Sequence, residues 1–187
     1  MYWCKTSFNS LKLIFTLLIC ISGLAACRPD VQQSVDKRYF DLKKFIDADT
    51  ARLNKANLTV NKTVLHNNSN EQTKQITIKN WGEELGLFSA SDINKPAWRD
   101  SYKITNAGDS AVYTATDSHL VTRRMVVQTV NGQVKKISIA NYTKNLLYQT
   151  TEQLVYYPDS LYIIDKLQKV KLIGSNRYLV KGLIKGL

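Results

Sequence analysis

Cysteine is scarce in this chain and confined to its start. All three, Cys4, Cys20 and Cys27, fall within the first 27 of 187 residues. Everything after Cys27 can form no internal disulfide, no thiolate metal site and no cysteine nucleophile. Histidine is limited to His66 and His119, and neither stands at ligand spacing from the other or from a carboxylate pair. No metal site is expected. The three prolines and eight glycines read as turn punctuation. There is no Gly-x-Ser-x-Gly elbow, no phosphate-cradling glycine loop and no His-Glu-x-x-His pair. No catalytic residue, cofactor or enzymatic activity is therefore expected. Acid is also in short supply, with 15 Asp and Glu against 26 Lys and Arg, a formal charge of +11.

No apolar run reaches the roughly 20 residues of a membrane-spanning helix. A shorter one lies near the start. Lys5 and Lys12 supply positive charge, Leu13 to Ile21 an apolar core, and Gly23, Ala25 and Ala26 small residues, before polar Arg28-Pro29-Asp30. This is the layout of an export signal. Leu24-Ala25-Ala26-Cys27 resembles the bacterial lipobox. The resemblance implies that residues 1–26 are removed and that the Cys27 thiol takes a diacylglycerol. Residues 27–187 then form one lipoprotein domain, held to a membrane through lipidated Cys27. An ordinary secretory signal cut after Ala26 is the alternative. The address implied is the cell envelope, with the periplasmic face of the outer membrane favoured. Arg28 follows the cysteine and no acidic surface-export run does.

Removing Lys5 and Lys12 leaves 24 basic residues against 15 acidic, a formal charge of +9. Such a surface attracts anionic lipid or simply aids solubility, since the charges form no long run. Nucleic acid, the usual partner of a basic domain, is excluded by the export signal.

The pattern after the signal predicts one domain of α+β class: an N-terminal amphipathic helix packed on a large curved antiparallel sheet of eight or nine strands. The helix is expected to start near Asp30 or Ser34 and run to about Lys55. Val35, Tyr39, Leu42, Ile46 and Leu53 carry its apolar stripe and Phe45 widens it. Its basic residues, Lys37, Arg38, Lys43, Lys44 and Arg52, lie on other faces and are candidates for contact with headgroups. Period two begins at Leu58. A polar turn at 66–70 separates two strands, and Trp81 to Phe88 is a short helical stretch. Hairpins follow around 106–109 and Asn131-Gly132, a pair suited to positive φ. Leu146 to Tyr157 is one further strand. Leu161 to Ile173 is one strand, or two with a bend near Asp165-Lys166. Arg177 to Ile184 is the last. The arrangement is similar to periplasmic lipid-handling lipoproteins and, less closely, to lipocalins.

The most distinctive stretch is Ser91 to Tyr102. Trp98, Arg99, Asp100 and Tyr102 form a candidate interaction loop; the plainer reading puts Trp98 in the core with Arg99 in a salt bridge. Tyrosines 142, 148, 156, 157 and 162 line a cavity, bind glycan or serve simply as strand formers. Glu83, Glu84, Asp92 and Asp100 are the only acids near the Trp-bearing middle segment. Asp49-Thr50-Ala51, Asp109-Ser110-Ala111 and Asp159-Ser160-Leu161 resemble the O-glycosylation motif of exported Bacteroidetes proteins. Thr50, Ser110 and Ser160 are then candidate glycosylation sites. The mature chain resembles lipoproteins of that phylum, chiefly through Ile93 to Tyr102, and the resemblance carries no activity. Two roles stand open: a non-enzymatic interaction or assembly module with an envelope protein partner, and a carrier for a hydrophobic ligand such as lipid. A glycan hydrolase stands behind both.

Overall fold

The computed structural model describes residues 38–67 and 69–185. The expected signal, Cys27, Val35 and Lys37 lie outside them. The main helix, α1 (Leu42–Ala56), starts where the Asp41 side chain accepts from the Lys44 N–H at 3.1 Å. It ends at Asn57, whose φ of 49° is the left-handed conformation that closes a helix. Arg38 to Asp41 are not helical, so the expected start at Asp30 or Ser34 does not extend through these positions. Tyr39 is buried for another reason. It stands edge-on to Tyr102 and Tyr113, with ring centroids 5.6 and 6.0 Å away.

The strands are β1 (Thr59–His66), β2 (Gln72–Thr77), β3 (Tyr102–Ala107), β4 (Ser110–Ala115), β5 (Thr122–Val130), β6 (Gln133–Lys144), β7 (Tyr148–Tyr157), β8 (Leu161–Val170) and β9 (Gly174–Lys185). Two short helices, α2 (Trp81–Glu84) and α3 (Gly86–Ala90), and a 3-10 turn at Pro96–Trp98 join β2 to β3. All nine strands form one antiparallel sheet in the order β2-β1-β9-β8-β7-β6-β5-β4-β3. From β3 to β9 it is a meander. The β1–β2 hairpin then joins the far side of β9, with Thr59 opposite Lys185 and His66 opposite Tyr178. Asn131 and Gly132, at φ 51° and 76°, make the tight β5–β6 turn.

Strand β8 is continuous through Asp165 and Lys166. Asp165 receives Arg177 of β9, and Lys166 reaches Glu152 of β7 at 3.0 Å. Consecutive side chains point to opposite faces, and each charge finds a partner on its own face. No bend is needed.

One sheet face carries the core. Val60, Met125, Val127, Ile137, Ile139, Leu154, Tyr156, Tyr162 and Ile184 are buried there in one cluster. The same cluster holds Leu42, Ile46 and Leu53 of α1, with Trp81, Leu85, Phe88 and Ile93. Tyr162 lies directly over Gly182, its partner on β9. Because the strands alternate in direction, the β1–β2, β4–β5, β6–β7 and β8–β9 links share one end of the sheet, here the near end. The chain enters at this end, where Arg38 pairs with Asp100 just before β3. Helix α1 then runs to the far end, where Arg52 joins Asp49 to Asp159 of the β7–β8 turn.

Candidate functional site

The segment leading into β3 is built against the entering chain. Asn94 accepts from the Tyr39 N–H at 3.1 Å and donates to the Phe40 carbonyl at 2.9 Å. Pro96 opens the 3-10 turn, its fixed φ suiting a first helical position. The turn leaves Trp98 half-buried, with Lys95 Nζ 4.1 Å from its ring centroid. Arg99 and Asp100 are exposed. The Tyr39 hydroxyl donates to the Arg99 carbonyl at 2.7 Å, and Asp100 takes Arg38.

Tyr102 does not belong with the exposed residues of this loop. It is buried, and its hydroxyl donates to the Thr122 carbonyl at 2.8 Å. Burial, and then the neighbouring Tyr39 phenol, push its pKa up to about 12. The side chain is a core post under the segment.

The other sequence candidates separate in the same way. Thr50 is buried and its hydroxyl is spent on the Asp47 carbonyl at 3.0 Å, which leaves no room for a glycan. Ser110 is half-buried at the start of β4, and Ser160 is exposed in the β7–β8 turn. Of the basic residues expected on the first helix, Arg38 precedes α1, Lys44 is exposed, and most of the described ones are paired. Arg38 holds Asp100, Lys43 holds Asp47, and Arg52 holds Asp49 and Asp159. His66 stacks on Tyr178, centroids 4.4 Å apart. Among the described residues no group of three or more His, Cys, Asp or Glu could hold a metal ion.

The buried Asp49 and the half-buried Glu84 are committed to neighbours. Asp49 accepts from Tyr156 and Arg52. Glu84 accepts from Tyr162 at 2.6 Å and pairs with Lys62 at 2.7 Å. Burial, reinforced by these carboxylates, pushes both phenols well above the usual tyrosine range. Glu84 sits over β1 and β8 whereas Asp100 adjoins β3, five strand positions along the sheet from β8. The two share no cleft. A polar chain missed by sequence reading crosses the sheet near its near end. Asn141 donates to Ser91 at 2.8 Å and to Glu152 at 3.2 Å, and Glu152 pairs with Lys166. Asn141 Oδ1 stays buried without a partner.

Open clefts occur among the described residues. One, about 540 Å³, runs beside α2 and is lined by Ile164, Val180 and Leu87 with Lys62 and Glu84. Another, about 750 Å³, lies between the β4–β5 link and the β6–β7 turn, and Arg123 lines it over the Tyr142 ring. Tyr156 and Tyr162 are core residues, so the tyrosines form no shared cavity wall. Compared with known proteins, the chain matches no family model, no curated protein and no solved structure.

Proposed function

We propose that this is a lipid-anchored protein of the cell envelope, held through Cys27, whose domain serves as a non-enzymatic interaction or assembly module. In this reading the sheet curls about α1, as a wide twisted sheet does, and faces the periplasm from the outer membrane. One observation carries the module reading. The Trp98–Asp100 segment runs directly into β3, an edge strand that is exposed from Lys103 to Ala107. An edge strand offers unpaired main-chain groups to an incoming strand. Trp98 and Arg99 beside it are side chains of the kind that dominate binding energy. The committed carboxylates favour this over hydrolysis.

The second reading, a carrier for a hydrophobic ligand, draws on the cleft of about 540 Å³ and its apolar wall of Ile164, Val180 and Leu87. Native mass spectrometry of the detergent-solubilised protein separates the two. The module reading expects a bound protein that is lost in Trp98→Ala/Arg99→Ala. A retained lipid mass that is lost on Val180→Trp, with no protein partner, supports the carrier and overturns the module.

A further inference from the structure

The near end of the sheet carries an apolar crown that neither reading explains. The β6–β7 and β8–β9 turns are adjacent, tied by a hydrogen bond from the Lys171 N–H to the Leu147 carbonyl at 2.9 Å. Turn tips ordinarily hold Gly, Asn, Asp, Ser or Pro. These hold Leu146, Leu147, Leu172 and Ile173, which are 92%, 70%, 101% and 80% exposed. Leu172 also sits at φ 71°, a conformation that disfavours a branched side chain and suits glycine or asparagine. Folding alone gives no reason for aliphatic side chains there.

The surroundings indicate what covers them. Lys144, Lys169 and Lys171 stand just behind the tips, all exposed, and none has a carboxylate partner among the described residues. No acid occurs from Asn141 to Thr151 or from Lys166 to Asn176. Tyr148 lies at the same level, and the cleft lined by Arg123 opens beside Leu146. Apolar tips, then lysines and tyrosine, then a polar body is the profile of a bilayer interface. A protein partner fits less well. Unpaired lysines are depleted in protein interfaces, and a stable one needs a complementary surface of about 800 Å² a side. Anionic headgroups reward such lysines.

We propose that this end of the sheet docks into an anionic bilayer surface. Leu146, Leu147, Leu172 and Ile173 enter the acyl boundary, and Lys144, Lys169 and Lys171 meet headgroup phosphates. The proposal deepens the envelope reading and rests on it in requiring a membrane within reach. The chain enters the described domain at this same end, at Arg38.

The test is depth of insertion in the full chain. Leu147→Trp adds a fluorophore at the crown, and Lys135→Trp adds one near the other end of the sheet. Each is reconstituted in vesicles of phosphatidylethanolamine and phosphatidylglycerol, with or without brominated acyl chains, and read against the parent protein. Insertion by 5–10 Å brings the Leu147→Trp ring to the bromines, so its added emission should fall by about half or more and shift to the blue. The Lys135→Trp emission should not change. Lys144→Glu/Lys169→Glu/Lys171→Glu, combined with Leu147→Trp, should lose the quenching. Equal response at positions 147 and 135 overturns the proposal, and quenching that survives the charge reversal overturns the headgroup contact. The mass of the same sample reports lipid on Cys27. A lipidated but unquenched protein defeats the docking alone, and a quenched but unlipidated one defeats the anchor alone.

Discussion

Replacing Gly182 with alanine puts a methyl group where the ring of Tyr162 already lies. A Cβ at Gly182 would overlap Cε1, Cζ and the hydroxyl oxygen of Tyr162, more than an ångström inside the 3.4 Å at which ordinary contact begins for the nearest of them. The ring must retreat by more than an ångström, and it has little room. Trp81 stands edge-on to it at 6.1 Å, and its hydroxyl is held by Glu84 at 2.6 Å. Overpacking a filled core costs about 1–3 kcal/mol, and a strained buried hydrogen bond adds about 1 kcal/mol. Removing a strand glycine returns roughly 0.5–1 kcal/mol. The net loss is about 2 kcal/mol, or roughly 4–8 °C in Tm for a domain of this size. Circular dichroism melts of the purified protein measure it. Tyr162→Leu lowers stability by itself, but in that background Gly182→Ala should cost nothing, because the ring it strikes is gone. A Tm for Gly182→Ala within about 1 °C of the parent, or the same penalty in both backgrounds, would refute the close approach of Tyr162 to Gly182.

Alkaline stability tests the buried phenol of Tyr102, raised to about 12 from about 10 in the unfolded chain. Below pH 10 both states keep the proton and the contribution is fully present. Above pH 10 the unfolded state releases it first, so stability falls by a few kcal/mol at most as pH approaches 12. Tyr102→Phe should flatten that limb of a urea series, and an unchanged slope contradicts the assignment. Asp49→Ala leaves the buried Tyr156 hydroxyl without its acceptor and should cost about 2–3 kcal/mol in the urea midpoint; a change under about 0.5 kcal/mol would show that the contact carries no stability. Cys27→Ser should abolish the lipid mass and leave uncut precursor or soluble protein. Mature-sized protein still in the membrane pellet counts against the anchor. If the glycosylation motif is used, Ser160→Ala should remove a glycan mass while Thr50→Ala removes none. A mass change on Thr50→Ala would contradict the burial of that hydroxyl.

Strand number and most hairpins were legible because each turn announces itself locally. Asn131-Gly132 needs two positive φ values, and alternation on either side sets the register. The start of the main helix was less legible. The apolar spacing runs smoothly through Val35 and Tyr39, yet Tyr39 is buried by Tyr102 and Tyr113, contacts more than sixty positions away that no periodicity reveals. The stronger local signal was Asp41, which caps the Lys44 N–H. In the interaction segment, Trp98 and Tyr102 look alike in sequence. The carbonyl of Thr122 and the ring of Tyr39, both distant in sequence, hold Tyr102 inside. The crown was hidden for the opposite reason. Leu146, Leu172 and Ile173 continue the apolar pattern of the strands beside them and so read as strand, although the chain turns there and leaves them outside.

The pairing of β1 with β9 also sets when the sheet can be finished. Its partners, from Thr59 opposite Lys185 to His66 opposite Tyr178, are separated by more than a hundred positions along the chain. Contacts so distant in sequence make folding slow, since a long loop must close before any of them forms. The meander from β3 to β8 can assemble as it emerges, hairpin by hairpin. The β1–β2 hairpin, though made first, has no neighbour until the last strand arrives. For a chain that emerges from its N-terminus, that order leaves the β9-facing edge of β1 unpaired until Lys185 has emerged. Folding then waits on the C-terminus, and a chain shortened by its last strand would lose the seam that joins the two parts of the sheet.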